Sequence, residues 1–110
     1  MQISVTARRF RARPELRDHA VDSVEKLSKY YDGIVHASVI LSYEGAAKNI
    51  KVAEVNLQVY GVLLSGKEKS DDFHKAIEAV VEKLEIQLKK YKTKLRAKDK
   101  NKVRALQDKV

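Results

Sequence analysis

The chain has no cysteine and no tryptophan, and aromatic residues make up only 6% of it. Without cysteine there is no disulfide, no thiolate nucleophile and no thiolate metal site, an absence that agrees with a reducing cytosol. Apolar runs last a few residues, far short of the roughly 20 needed to span a bilayer. The first residues, Met1 to Arg9, lack the charged region and apolar stretch of a signal peptide. A soluble, cytoplasmic protein is expected. The four glycines stand apart from one another, so no glycine-rich phosphate loop and no nucleophile elbow is present.

Other catalytic signatures are equally thin. His19, His36 and His74 fall on three different predicted elements, and no two share one element at metal-ligand spacing. They read as ordinary surface histidines. The Asp71-Asp72 pair stands at a helix start, where capping accounts for it. No enzyme, cofactor or metal site is expected.

What remains is charge on a foldable chain. Hydrophobic residues are 44% of 110, enough for one domain with a core. Lys and Arg number 23 against 15 acids, a net charge of +8. That surplus is polarised: residues 1–31 are net +3, residues 32–85 net −3 and residues 86–110 net +8. A polyanion is the natural partner for such ends.

Periodicity gives the order β-α-β-β-β-α. Ile3, Val5 and Ala7 alternate with polar residues as a strand. Pro14 opens a helix with the stripe Leu16, Ala20, Val24, Leu27 and Tyr31, closed by Gly33 as a left-handed stop. Val35, Ala37, Val39, Leu41 and Tyr43 form the inward side of a second strand, and Ala53, Val55, Leu57 and Val59 that of a third. Gly61 turns the chain into a short last strand, Val62 to Ser65. Ser70 or Asp71 then caps a helix with the stripe Phe73, Ile77, Val80, Leu84, Leu88, Tyr91 and Leu95. The expected fold is α+β, a four-stranded mixed sheet with both helices on one face, similar to a double-stranded RNA-binding domain. Residues 1–96 form this domain; residues 97–110, almost all polar from Ala97 to Arg104, are expected to be a basic flexible tail.

On the second helix, Lys83, Gln87, Lys90 and Lys94 share one flank with no acid among them. The other flank collects Glu78, Glu82 and Glu85 with Lys89, Lys92 and Arg96, and Glu85 to Lys89 is a favourable i,i+4 pair. An unneutralised lysine row suits phosphate contact. Arg8 and Arg9, crowded with Arg11 and Arg13 after the first strand, and Lys26 and Lys29 on the first helix, are expected to join it across a groove between the helices. The open sheet face, with Ser4, Thr6, Ser38, Ser42, Glu54, Asn56 and Gln58, offers little for base stacking.

The stretch from Asp72 to Lys92, DFHKAIEAVVEKLEIQLKKYK, resembles the second helix of the ribosome hibernation promoting factors, also called ribosome-associated inhibitors. Ile3 to Arg8, Lys26-Leu27-Ser28-Lys29-Tyr30, and Glu54-Val55 followed by Gly61 match in the same order, so the resemblance spans about residues 1–96. It implies binding to the small ribosomal subunit and its rRNA in the messenger and transfer RNA region, and inhibition of translation under stress or in stationary phase. Lys83, Gln87 and Lys90 fall in the family's RNA-facing helix. Ala7 stands where Gly is usual, His74-Lys75 where Tyr-Ala is typical and Ile86 where Arg is common, so a basic contact at Ile86 is not carried over. Ending after a basic tail, the chain is similar to the short members, expected to be monomeric off the ribosome, with no membrane or DNA partner. The other reading is a generic structured-RNA binder without ribosome specificity.

Overall fold

Alternating apolar residues build the inner face of one four-stranded sheet, and two helical stripes cover it. The computed structural model describes residues 1–46 and 49–109, with side chains placed through Lys94. Strand β1 (Gln2–Ala7) runs parallel to β2 (Ile34–Glu44), with Ile3 beside Ala37 and Val5 beside Val39. Strands β3 (Ile50–Val59) and β4 (Val62–Ser70) continue antiparallel, giving the order β1-β2-β3-β4. Helix α1 (Pro14–Glu25) packs against β1, and α2 (Phe73–Lys109) against β3, β4 and α1.

The core joins both layers. Ala37, Val39, Leu41, Ala53, Val55, Leu57 and Val59 from the sheet meet Ala20, Val24 and Leu27 from the first helical segment. Ala76, Ile77, Val80, Leu84 and Leu88 of α2 complete it, all fully buried. Polar residues face the other side of the sheet, where the Ser65 hydroxyl donates to Asn56 Oδ1 at 2.8 Å. Helices on one face therefore leave the second face open, as the alternation requires.

Four local expectations change. Val35 is 60% exposed and Ile34 takes the buried place, because a register shift between Ile34 and His36 moves the alternation by one. The first helix passes at Lys26 into a 3₁₀ segment ending at Lys29, so Gly33 is no left-handed stop and its φ is not positive. Gly33 instead lies under the Tyr31 ring, where an added Cβ would come within 2.6 Å of ring atoms. The cap of α2 is neither Ser70 nor Asp71: Asp72 Oδ1 accepts the His74 N–H at 2.9 Å.

The fourth change is the largest. β4 continues to Ser70, five residues beyond the expected end at Ser65. The sequence there, Gly66-Lys67-Glu68-Lys69, lacks an apolar inner row because α2 packs directly on its backbone. A Cβ at Gly66 would stand 3.0 Å from Val80 Cγ2 and 3.5 Å from Leu84 Cγ. Helix α2 is continuous through Lys109, past Arg96, where the tail is expected to begin. The side chains of residues 95–110, Leu95 of the apolar stripe and the basic tail included, lie outside the described residues.

Candidate nucleic-acid interface

The flank of α2 that carries Lys83, Gln87, Lys90 and Lys94 faces the β4 edge, because the chain returns antiparallel to β4 after Asp72. Two of the four residues are used there. Lys83 Nζ lies 3.3 Å from Glu68 Oε1 on β4, so the expectation of a wholly unneutralised row is corrected at this position. Gln87 Nε2 donates to the Ser65 carbonyl at 2.9 Å. The Lys83 contact depends on the second half of β4, which the apolar pattern did not reveal; Ser65 lies within the strand as expected. Lys90 and Lys94 are exposed, and no acid pairs with either among the described residues.

Lys26 and Lys29 sit at the same end of the helical layer. The Lys89 ammonium lies 5.1 Å from the Tyr30 ring centre, and the Tyr31 and Tyr91 rings meet edge to face at 5.5 Å. These contacts press the 3₁₀ segment against residues 85–91 of α2. Lys89 is also bound to Glu85 at 3.1 Å, the expected i,i+4 pair. The Lys89 hydrogen bond, followed by that from the Tyr30 hydroxyl, holds the Glu85 carboxyl below its ordinary range. The same bond to Glu85 raises the Tyr30 phenol. Lys26 and Lys29 thus approach α2 from the α1 side, while Lys90 and Lys94 lie on its β4 side.

The groove between the helices does not have the expected lysine lining. Its walls are Ser23 and Lys26 from the α1 side and Glu78, Val81, Glu82, Glu85 and Ile86 from α2. Carboxylates repel phosphate, so this groove separates the basic groups.

Arg8 and Arg9 are placed elsewhere. The Arg8 N–H donates to the Leu41 carbonyl at 2.9 Å, and Arg9 takes a φ of 63° in the left-handed region. Phe10 stacks on Phe73 at 5.2 Å and meets Tyr43 edge-on at 4.9 Å, tying the loop to the start of α2. From Phe73 to Lys90 the helix rises about 26 Å. The arginines therefore form a second basic group at the opposite end of the fold, not part of one patch with Lys90.

Sequence reasoning missed Lys67, Lys69 and the histidine pair. Lys69 binds Glu44 at 2.8 Å, and this hydrogen bond holds the Glu44 carboxyl low; Lys67 is exposed on the same strand face. Their signal was the alternation Leu63, Ser65, Lys67, Lys69, hidden by ending the strand early. His19 and His74 are not three-way independent surface residues with His36: their rings stack across the helices at 4.3 Å. His19 Nε2 is buried 3.9 Å from Glu78 Oε1.

Comparison with known proteins bears on the family and the fold. The profile of the family described as Sigma 54 modulation protein / S30EA ribosomal protein matches residues 3–96. A ribosome hibernation promoting factor of Klebsiella oxytoca is 30% identical over 96 residues, covering 87% of this chain and 98% of that one. A ribosome hibernation promotion factor of Bacillus subtilis is 28% identical over 89% of this chain, which spans only 52% of that protein. Among solved structures, a ribosomal subunit interface protein from Coxiella burnetii superposes with a TM-score of 0.77 at 27% identity, covering 84% of this chain and 99% of that one. The N-terminal domain of Thermus thermophilus Protein Y gives 0.73 at 29% identity, with 83% and 99% covered.

Proposed function

The chain belongs to the Sigma 54 modulation protein / S30EA ribosomal protein family, and from that premise we propose that it is a ribosome hibernation factor, acting as a translation inhibitor by occupancy. Its target is the small ribosomal subunit, where it binds rRNA in the region used by messenger and transfer RNA under stress or in stationary phase. It acts as a binding protein, without catalysis, and works in the cytoplasm. No helix among the described residues is long and apolar enough to cross a bilayer.

The observation that carries this reading is the pair Lys90 and Lys94, exposed and unpaired among the described residues on the packed helix α2. A helix fixed by Leu84 and Leu88 in the core holds their backbone in place, so phosphate contact costs little further ordering of backbone. Lys83 and Gln87 extend the row toward β4, and Lys26 and Lys29 reach RNA that crosses the end of α2. Arg8 and Arg9 meet a separate stretch of RNA at the other end.

The test is co-sedimentation with purified small subunits through sucrose. Replacing Lys90 and Lys94 together by Glu should remove the chain from the ribosomal fraction with its circular dichroism unchanged. Lys83→Glu should weaken binding less, because Lys83 already shares its charge with Glu68. Undiminished co-sedimentation of the double variant would overturn the assignment to α2.

A further inference from the structure

We infer that Tyr60, at the tip of the β3–β4 hairpin, stacks on an unpaired RNA base beside the lysine row of α2. The inference rests on the RNA-binding reading above and names what that surface contacts besides phosphate. Tyr60 is 86% exposed in a chain that has few aromatic residues and packs the others. Phe10, Tyr43 and Phe73 pack together, Tyr31 meets Tyr91, and Tyr30 lies against Lys89. The Tyr60 ring has no aromatic or cationic partner among the described residues. One exposed aromatic is ordinary on a protein surface. What distinguishes Tyr60 is how it is held and what lies beside it.

The tip is fixed from the helix side. The Tyr91 hydroxyl donates to the Tyr60 carbonyl at 2.9 Å, so α2 holds the backbone of the turn. Tyr60 and Gly61 form a two-residue connection between the paired Val59 and Val62. Gly61 takes a φ of 82° and Tyr60 a φ that is not positive, as the two central places of a type II turn require. Only the two side-chain torsions of Tyr60 are left to order when a base settles on the ring, a small entropic cost.

Two hydrogen bonds set the tip against the lysines: Gln87 reaches Ser65, and Tyr91 reaches Tyr60. From Ser65 back to Val62 the strand covers about 10 Å. From Gln87 to Lys94 the helix rises about 10 Å. Lys94 is therefore level with the tip, on the flank of α2 that faces β4, and Lys90 lies one turn before it. Charge decides the class of partner. Residues 86–110 carry a net +8, and an exposed ring beside cations without acidic partners holds single-stranded RNA, phosphates on the cations and a base on the ring. A duplex keeps its bases stacked on one another and offers the ring no free face.

The test measures the full chain, as wild type, Tyr60→Ala and Tyr60→Phe, against purified small subunits, a short single-stranded RNA and the corresponding duplex. Tyr60→Ala should bind subunits and single strand between about fivefold and a hundredfold more weakly. Tyr60→Phe keeps the ring and should bind as wild type; duplex affinity should be the same for all three. The slope of log affinity on log salt should stay at its wild-type value in Tyr60→Ala, because no phosphate contact is lost. Its thermal midpoint should also hold, since the Tyr91 bond goes to a backbone carbonyl that alanine retains. Wild-type affinity of Tyr60→Ala for subunits would overturn the proposal and leave the hibernation reading standing. Loss on subunits with none on single-stranded RNA would overturn it by placing a ribosomal protein at the tip, and equal loss in Tyr60→Phe by marking a hydroxyl contact. Failure of the wild type itself to bind subunits would remove the hibernation reading, and the single-stranded RNA measurement would still decide the stacking.

Discussion

Glu85 shows how one side chain can order a junction. It accepts hydrogen bonds from Lys89, one turn along α2, and from Tyr30 at the end of the 3₁₀ segment, and its carboxyl is depressed accordingly. A carboxyl whose pKa is lower folded than unfolded stabilises the fold above its unfolded value and loses that contribution as pH falls through the folded value. The window lies below the ordinary 4.5. Comparing thermal midpoints of wild type and Glu85→Gln across pH measures it: the wild-type advantage should be full near neutrality and shrink on acidification below that value. A difference constant with pH would show that the carboxylate charge is irrelevant there. The i,i+4 partner Lys89 was legible in the sequence, because helix geometry alone sets it. Tyr30 was not, since it approaches from an element 55 residues earlier in the chain.

At the scale of the element, strand β4 and helix α2 define each other. Gly66 is the contact point, with Val80 and Leu84 packed where a side chain would stand. Gly66→Val should destabilise the chain by about 1–3 kcal/mol through overpacking, measured as a lower urea midpoint with an unchanged m-value. Stability equal to wild type would mean that the helix can retreat freely from the strand. This contact also explains what the sequence concealed. Elements with an apolar period of their own, such as Val55-Leu57-Val59 or Ile77-Val80-Leu84-Leu88, were readable in type and facing. The second half of β4 has no such period, because its inward partner is another element's side chain meeting bare backbone. The bulge after Ile34 was hidden for a related reason: Ile34 and Val35 are equally apolar, and only the pairing with β3 decides which turns inward.

Across the whole molecule, the linear polarity of charge became a spatial one. Basic ends and an acidic middle were visible in the chain as net charges of +3, −3 and +8 over its three segments. Folding brings part of the acidic segment, Glu78 to Glu85, into the groove between the helices. It leaves Lys90 and Lys94 on the β4 side with no acidic partner among the described residues and sends Arg8 and Arg9 to the far end. Helical spacing predicted the lysine flank but could not foresee Glu68, which reaches Lys83 only because β4 lies beside it. The lysines left unpaired therefore carry the central claim, and their electrostatic contribution can be counted. Affinity for purified small subunits should be measured against salt for wild type and for Lys90→Ala, Lys94→Ala. Each lost phosphate contact lowers the slope of log affinity on log salt by about 0.7–0.9, so the double variant should be shallower by about 1.4–1.8. Identical slopes for the two proteins would contradict the account.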